Sequence, residues 1–153
     1  MSNASRHTRW VKRAGWTVVV GFAMLVVSIL ALFYALELCS AQAQSTDAVC
    51  ALLMWRRLPV AMGYAGFAVV FAGCGVLALT VTRKAFAEGR GDEDPGEHLP
   101  WIVRITPLGS LVGLAHPVMG WVWTYVFFSG AFAFALGTVL HLMGADIIGM
   151  KDP

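Results

Sequence analysis

The sequence predicts an all-α integral membrane protein with three transmembrane helices and a short interfacial segment before the last. Three observations predict it. Hydrophobic residues make up 58% of the 153-residue chain and charged ones only 13%, with a mean hydropathy of +0.70, too apolar for a soluble domain of this size. The charges are clustered, leaving uncharged stretches at 14–36, 58–82 and 105–145. Each exceeds the roughly 18 apolar residues that carry a helix across a bilayer core of about 30 Å. None shows the apolar/polar alternation of barrel strands, and lipid leaves the backbone only helices or closed barrels. Residues 1–153 therefore read as a single membrane domain, with helices at about 15–38, 58–82 and 118–143.

In chain order, residues 1–14 form a basic tail and the first helix follows. Its basic start, apolar run and the later CSAQAQS resemble a signal peptide. The apolar run is longer than the ~7–15 residues of a signal core, so the segment reads as a retained anchor. Residues Leu36-Glu37-Leu38 before Cys39 lack the small side chains that lipoprotein processing needs. This helix is rich in Val, Leu, Ile and Phe, which suits contact with lipid or bulky partners.

The connection at 39–57 reads as an outer loop holding Cys39 and Cys50. These are candidates for a disulfide, which unstrained contributes on the order of 3 kcal/mol, or remain two free thiols. Arg56 and Arg57, just before the second helix, suit a lipid headgroup or an ion pair with Glu37 or Asp47.

The second helix carries Gly63, Gly66 and Gly73 among many alanines, small residues that admit a close neighbour where lipid removes the usual hydrophobic drive. Cys74 in its middle reads as a small core residue. The inner loop at 83–104 contains EGRGDEDPGEHLP, whose glycines, prolines and acids read as a solvated connector, with Asp92, Glu93, Asp94, Glu97 and His98 as its charge run.

The run at 105–145 is too long for one straight crossing, and Pro107, Pro117 and Gly120 interrupt its first half. The crossing is therefore expected at 118–143, with 105–116 lying along the surface. A hairpin at Ser129-Gly130, giving four crossings, is the alternative, although no polar turn cluster marks it. Ser129, Ala133, Gly137 and His141 recur at spacing four and form a small-residue groove on the third helix for another helix to fill.

Orientation follows from basic flanks. Arg6, Arg9, Lys12, Arg13, Arg83, Lys84, Arg90 and Arg104 share one side, against Arg56, Arg57 and Lys151 on the other. That favours an inside N-terminus and an outside C-terminus in a bacterial plasma membrane or mitochondrial inner membrane. The net charge of +2 is split between faces, so nucleic acid is not an expected partner. Membrane lipids and other membrane subunits are, because three helices cannot cover every packing face themselves.

His116 and His141 are the ionisable residues of the apolar runs and hence the first functional candidates. On one continuous helix they stand about 37 Å apart, too far to share a metal. Haem held by two imidazoles needs histidines on different helices, so this chain alone binds no cofactor of that kind. The trio of helices resembles, in size and layout, the membrane anchor subunits of succinate dehydrogenase. That resemblance implies a shared haem or quinone site to which His141 or His116 contributes, though Gly144 and Asp146 do not complete an anchor signature.

No nucleophile elbow, phosphate loop, CxxC or HExxH occurs, and apart from Glu37 at the end of the first helix no acid, lysine or arginine lies inside an expected crossing. The expected function is a non-catalytic accessory subunit of a larger membrane complex, respiratory or photosynthetic. The alternatives are a quinone- or haem-binding anchor and a small homo-oligomeric channel or transporter.

Overall fold

A computed structural model describes residues 3–41, 46–87, 100–113 and 115–143. The side chains of Cys39, Cys50, Arg56 and Arg57 lie outside the described residues, as do the acidic run at 92–97, His98, Gly144 and Asp146. Five helices run in order: α1 (Asn3–Ala41), α2 (Thr46–Ala87), α3 (Trp101–Ile105), α4 (Pro107–Val112) and α5 (Pro117–Leu142). Among the described residues there is no strand. Three stretches are long and apolar enough to cross a membrane: Arg9–Tyr34, Leu58–Ala87 and Val118–Leu142. The chain is a multi-pass α-helical membrane protein.

The boundaries differ from expectation in three places, the first being α1, which already begins at Asn3 within the residues expected as a basic tail. The connection expected at 39–57 is largely helical, because α1 continues to Ala41 and α2 already begins at Thr46. Residues 46–57 include Ala48, Ala51, Leu52, Leu53, Met54, Arg56 and Arg57, good helix formers, and Pro59 sits in the interior of α2 rather than in its first turn. A proline there removes only its own N–H bond, which a membrane helix with packed neighbours tolerates. At the other end α2 runs to Ala87, shortening the inner loop. The hairpin at Ser129-Gly130 is absent: α5 is continuous, and the Ser129 hydroxyl donates to the Val126 carbonyl at 3.1 Å instead of turning the chain.

α2 lies in the middle. α1 and α5 both pack along it and make no extended contact with each other. About 33% of the most apolar stretch of α2 is buried in this chain, against 11% for either neighbour. The three crossings form an open layer rather than a closed bundle.

The α1–α2 seam is built from small residues at alternating spacings of four and three. Ala14, Val18, Gly21, Leu25 and Ser28 of α1 face Gly63, Gly66, Val70 and Gly73 of α2. This average of 3.5 is the repeat of a left-handed helix pair. The backbones nearly touch: a Cβ on Gly21 would lie 2.8 Å from the Val70 amide nitrogen and 3.0 Å from the Gly66 carbonyl oxygen. Near one end the buried Ser28 hydroxyl donates to the Pro59 carbonyl at 2.6 Å, tying the two helices together beside the proline. Thus α1 is itself a small-residue packing helix, besides presenting bulky residues to lipid.

The α2–α5 seam is aromatic. Phe71 stands 6.0 Å from Phe127 and 5.3 Å from Phe134, and Phe67 stacks on Phe134 at 5.1 Å. Glycines receive these rings: Gly75 meets Phe128, Gly130 meets Phe71 and Gly137 meets Tyr64.

Ahead of α5, α3 and α4 make a compact surface turn. α4 begins at Pro107, whose missing N–H is no loss at a first helical position, and ends at Gly113, whose φ of 81° favours glycine. Ser110 is fully buried and donates to the Pro107 carbonyl, while the Trp123 indole donates to the Ile105 carbonyl at 2.8 Å. Trp101, Leu108 and Val112 are exposed, which fits a segment lying along the membrane surface.

Candidate functional site

α5 places the two candidate histidines at its opposite ends. His116 is the residue before the helix, and its Nδ1 accepts the Val118 amide N–H at 3.3 Å. A ring nitrogen acting as acceptor carries no proton, so this contact places the proton of a neutral ring on Nε2. The side chain is exposed and its contact is a helix cap, satisfying one of the amides that every helix start leaves open.

His141 lies in the last turn, and its ring stands 6.0 Å from that of Tyr64 on α2. Its Nε2 is covered by the chain's own atoms and has no hydrogen-bond partner among the described residues. Such a buried, unpaired polar atom costs on the order of 1–3 kcal/mol. Tyr64 also stands 6.3 Å from Phe134, so His141 caps an aromatic column that runs through Tyr64, Phe134, Phe71 and Phe127 to Trp123, 6.0 Å from Phe127. His141 therefore joins the two helices by ring contact. A ligand reaches its Nε2 only when a covering side chain moves.

The structure splits the expected row on α5. Gly137 is buried against Tyr64 and His141 follows it, whereas Ser129 and Ala133 are exposed on the outward face. A four-residue step advances 400° on a 3.6-residue helix, so the row drifts by about 40° each time and leaves the face that α2 covers. That face follows Gly120, Thr124, Phe127, Phe134, Gly137 and His141, spaced mostly by threes and fours. On α2, Gly63, Gly66 and Gly73 lie against Ser28, Leu25 and Val18 of α1. Cys74 is a free, partly buried thiol.

Sequence reasoning passed over Tyr64, Gly21 and Ser28. A signal for the α1 pair was present: Ala14, Gly21 and Ser28 are seven apart, as are Pro59, Gly66 and Gly73. Nothing in the sequence around Tyr64 marked it as the neighbour of His141, because that pairing depends on the registry of α2 against α5.

Among the described residues no group of three or more His, Cys, Asp or Glu is placed to hold a metal. Comparison with protein families, with curated proteins and with solved structures gives no match.

Proposed function

We propose that the chain is an accessory, non-catalytic subunit of a larger multi-subunit membrane complex of the energy-transducing kind, working through helix packing. The observation that carries this reading is the outward face of α5. Ser129 and Ala133 are exposed there, at bilayer depth, between the bulky Tyr125, Phe132 and Leu136. Small residues one above the other let a second helix approach closely, and packing is what drives association where lipid is as apolar as protein. The open layer supports the same reading, since α1 and α5 each leave most of their surface uncovered by this chain. The basic flanks favour an inside N-terminus and an outside C-terminus, in a bacterial plasma membrane or a mitochondrial inner membrane.

Ala133→Leu and Ser129→Leu are expected to strip co-purifying chains from the protein in mild detergent while leaving its own unfolding midpoint within about 0.5 kcal/mol of wild type. Gly137→Leu should lower both, because it also pushes on Tyr64. If the purified protein is a pure homo-oligomer by mass, a channel or transporter replaces this reading.

A second reading, a redox anchor sharing a haem or quinone with another subunit, rests on the His141 Nε2, which has no hydrogen-bond partner among the described residues and meets a ligand once a covering side chain moves. Removal of a b-type absorption band by His141→Ala in the purified assembly is the expected result under that reading. A band left unchanged takes His141 out of the ligand set.

A further inference from the structure

Thr82 departs from the pattern that the other threonine side chains described in the long helices keep. Thr17, Thr80, Thr124 and Thr138 each donate their hydroxyl to the carbonyl four residues earlier, the local bond by which a helix satisfies a threonine. For Thr82 that carbonyl belongs to Ala78, and the hydroxyl does not take it. Among the described residues it has no hydrogen-bond partner, although the residue is only 4% exposed. It faces α5 instead: a Cβ added at Gly120 would run into the Thr82 oxygen and methyl.

On that side Thr82 and Ala85 of α2, Ser110 of α4, Gly113 and Ala115 of the following turn, and Gly120 of α5 line a small cavity. It leaves about 10 Å³ of room for the centre of a water molecule. One buried water needs about 10–15 Å³ of such room. We propose that the cavity is the site of one structural water, which accepts from the Thr82 hydroxyl and donates to Ser110 Oγ, and so fastens the surface turn to the end of α2.

The two hydroxyls are matched to that role. Ser110 is fully buried and gives its one proton to the Pro107 carbonyl, so toward the cavity it can only accept. Thr82 has its proton to give, and a water is acceptor to one and donor to the other. The lining also passes Gly113, where α4 ends, and a helix end leaves its last carbonyls short of donors, so an acceptor for the second water proton is close by. That meets the roughly two to four bonds of a buried water, and a bridging water holds its partners nearly as well as a direct bond. Depth agrees. Thr82 belongs to the last turns of the crossing that ends at Ala87, and Gly120 to the first turn of the one that begins at Val118, so the cavity lies at a membrane surface with solvent in reach.

The test is a crystal structure of the full chain beside that of Thr82→Val, which keeps the shape against Gly120 and removes the hydroxyl. Wild type should show one density peak within about 3.2 Å of both Thr82 Oγ1 and Ser110 Oγ. Thr82→Val should lose the peak, and Thr80→Val should keep it, because Thr80 bonds within α2 and does not line the cavity. Amide hydrogen exchange at Ala115, whose N–H closes the turn on the Gly109 carbonyl, should quicken about tenfold in Thr82→Val, the worth of one hydrogen bond, and hold its wild-type rate in Thr80→Val. Ser110→Ala, read the same two ways, replaces Thr82→Val if that variant does not fold. A wild-type map in which Thr82 donates to the Ala78 carbonyl overturns the proposal, as does a peak that survives Thr82→Val or one ringed by six or more oxygens at about 2.4 Å, the signature of a cation. Unchanged exchange at Ala115 in Thr82→Val overturns the fastening role.

Discussion

Gly21→Leu is expected to open the α1–α2 seam and to destabilise the chain by on the order of 3 kcal/mol, the upper end of overpacking effects. The obstruction is backbone. Already at Cβ the new side chain would meet the Val70 amide nitrogen and the Gly66 carbonyl, and neither can rotate away as a side chain would. The helices must then part, and the Ser28 hydroxyl is drawn from the Pro59 carbonyl, adding the cost of a buried hydrogen bond in a low-dielectric setting. Gly15→Leu supplies the control on the same helix. Nothing lies within 4 Å of a Cβ there, so its effect should stay within about 0.5 kcal/mol. Unfolding in a detergent titration, followed by helical circular dichroism, reads both. Coincident midpoints for the two variants would falsify the seam.

Phe134→Ala should loosen α5 from α2 by about 2 kcal/mol. Phe134 meets Tyr64, Phe67 and Phe71 at ring-centroid separations of 6.3, 5.1 and 5.3 Å, and aromatic pairs contribute about 0.5–1.5 kcal/mol each. The loss is smaller than for Phe→Ala in a soluble core, because lipid can refill the space at little cost. Phe134→Leu should recover part of it. The expected reading is a lower unfolding midpoint together with faster proteolysis at the α4–α5 turn. An unchanged midpoint for Phe134→Ala would mean that the aromatic column does not hold the helices together.

Much of the fold was legible from residue types because the solvent leaves so few choices. Lipid forbids unpaired backbone groups, so an uncharged stretch such as 58–82 can only be a helix, and its ends follow the clustered charges. Pro107 and Pro117 marked the surface turn correctly, since a proline opens a helix more readily than it continues one. The stretch at 46–57 was less legible. Its composition suits a helix and a loop alike once apolar length is the criterion, and continuity with α2 across Pro59 depends on packing beyond the proline.

The site was legible only in outline. His141 stood out because an imidazole in an apolar run is rare, and its place in the last turn of α5 follows from chain order. Ser129 and Ala133 shared a row with Gly137 on paper but not a neighbour in space, because a straight count by fours ignores the drift of the helix around its axis.

Residue chemistry was sufficient to establish that this chain crosses lipid three times as helices, since hydrocarbon tolerates no other backbone arrangement for stretches so long and uncharged. Which faces meet was settled by packing in three dimensions. Gly21 seats on Gly66 and Val70, and Tyr64 comes to lie beside His141, through the mutual registry of separate helices. Registry is a sum of many weak van der Waals contacts across the seams, and no single residue type announces it.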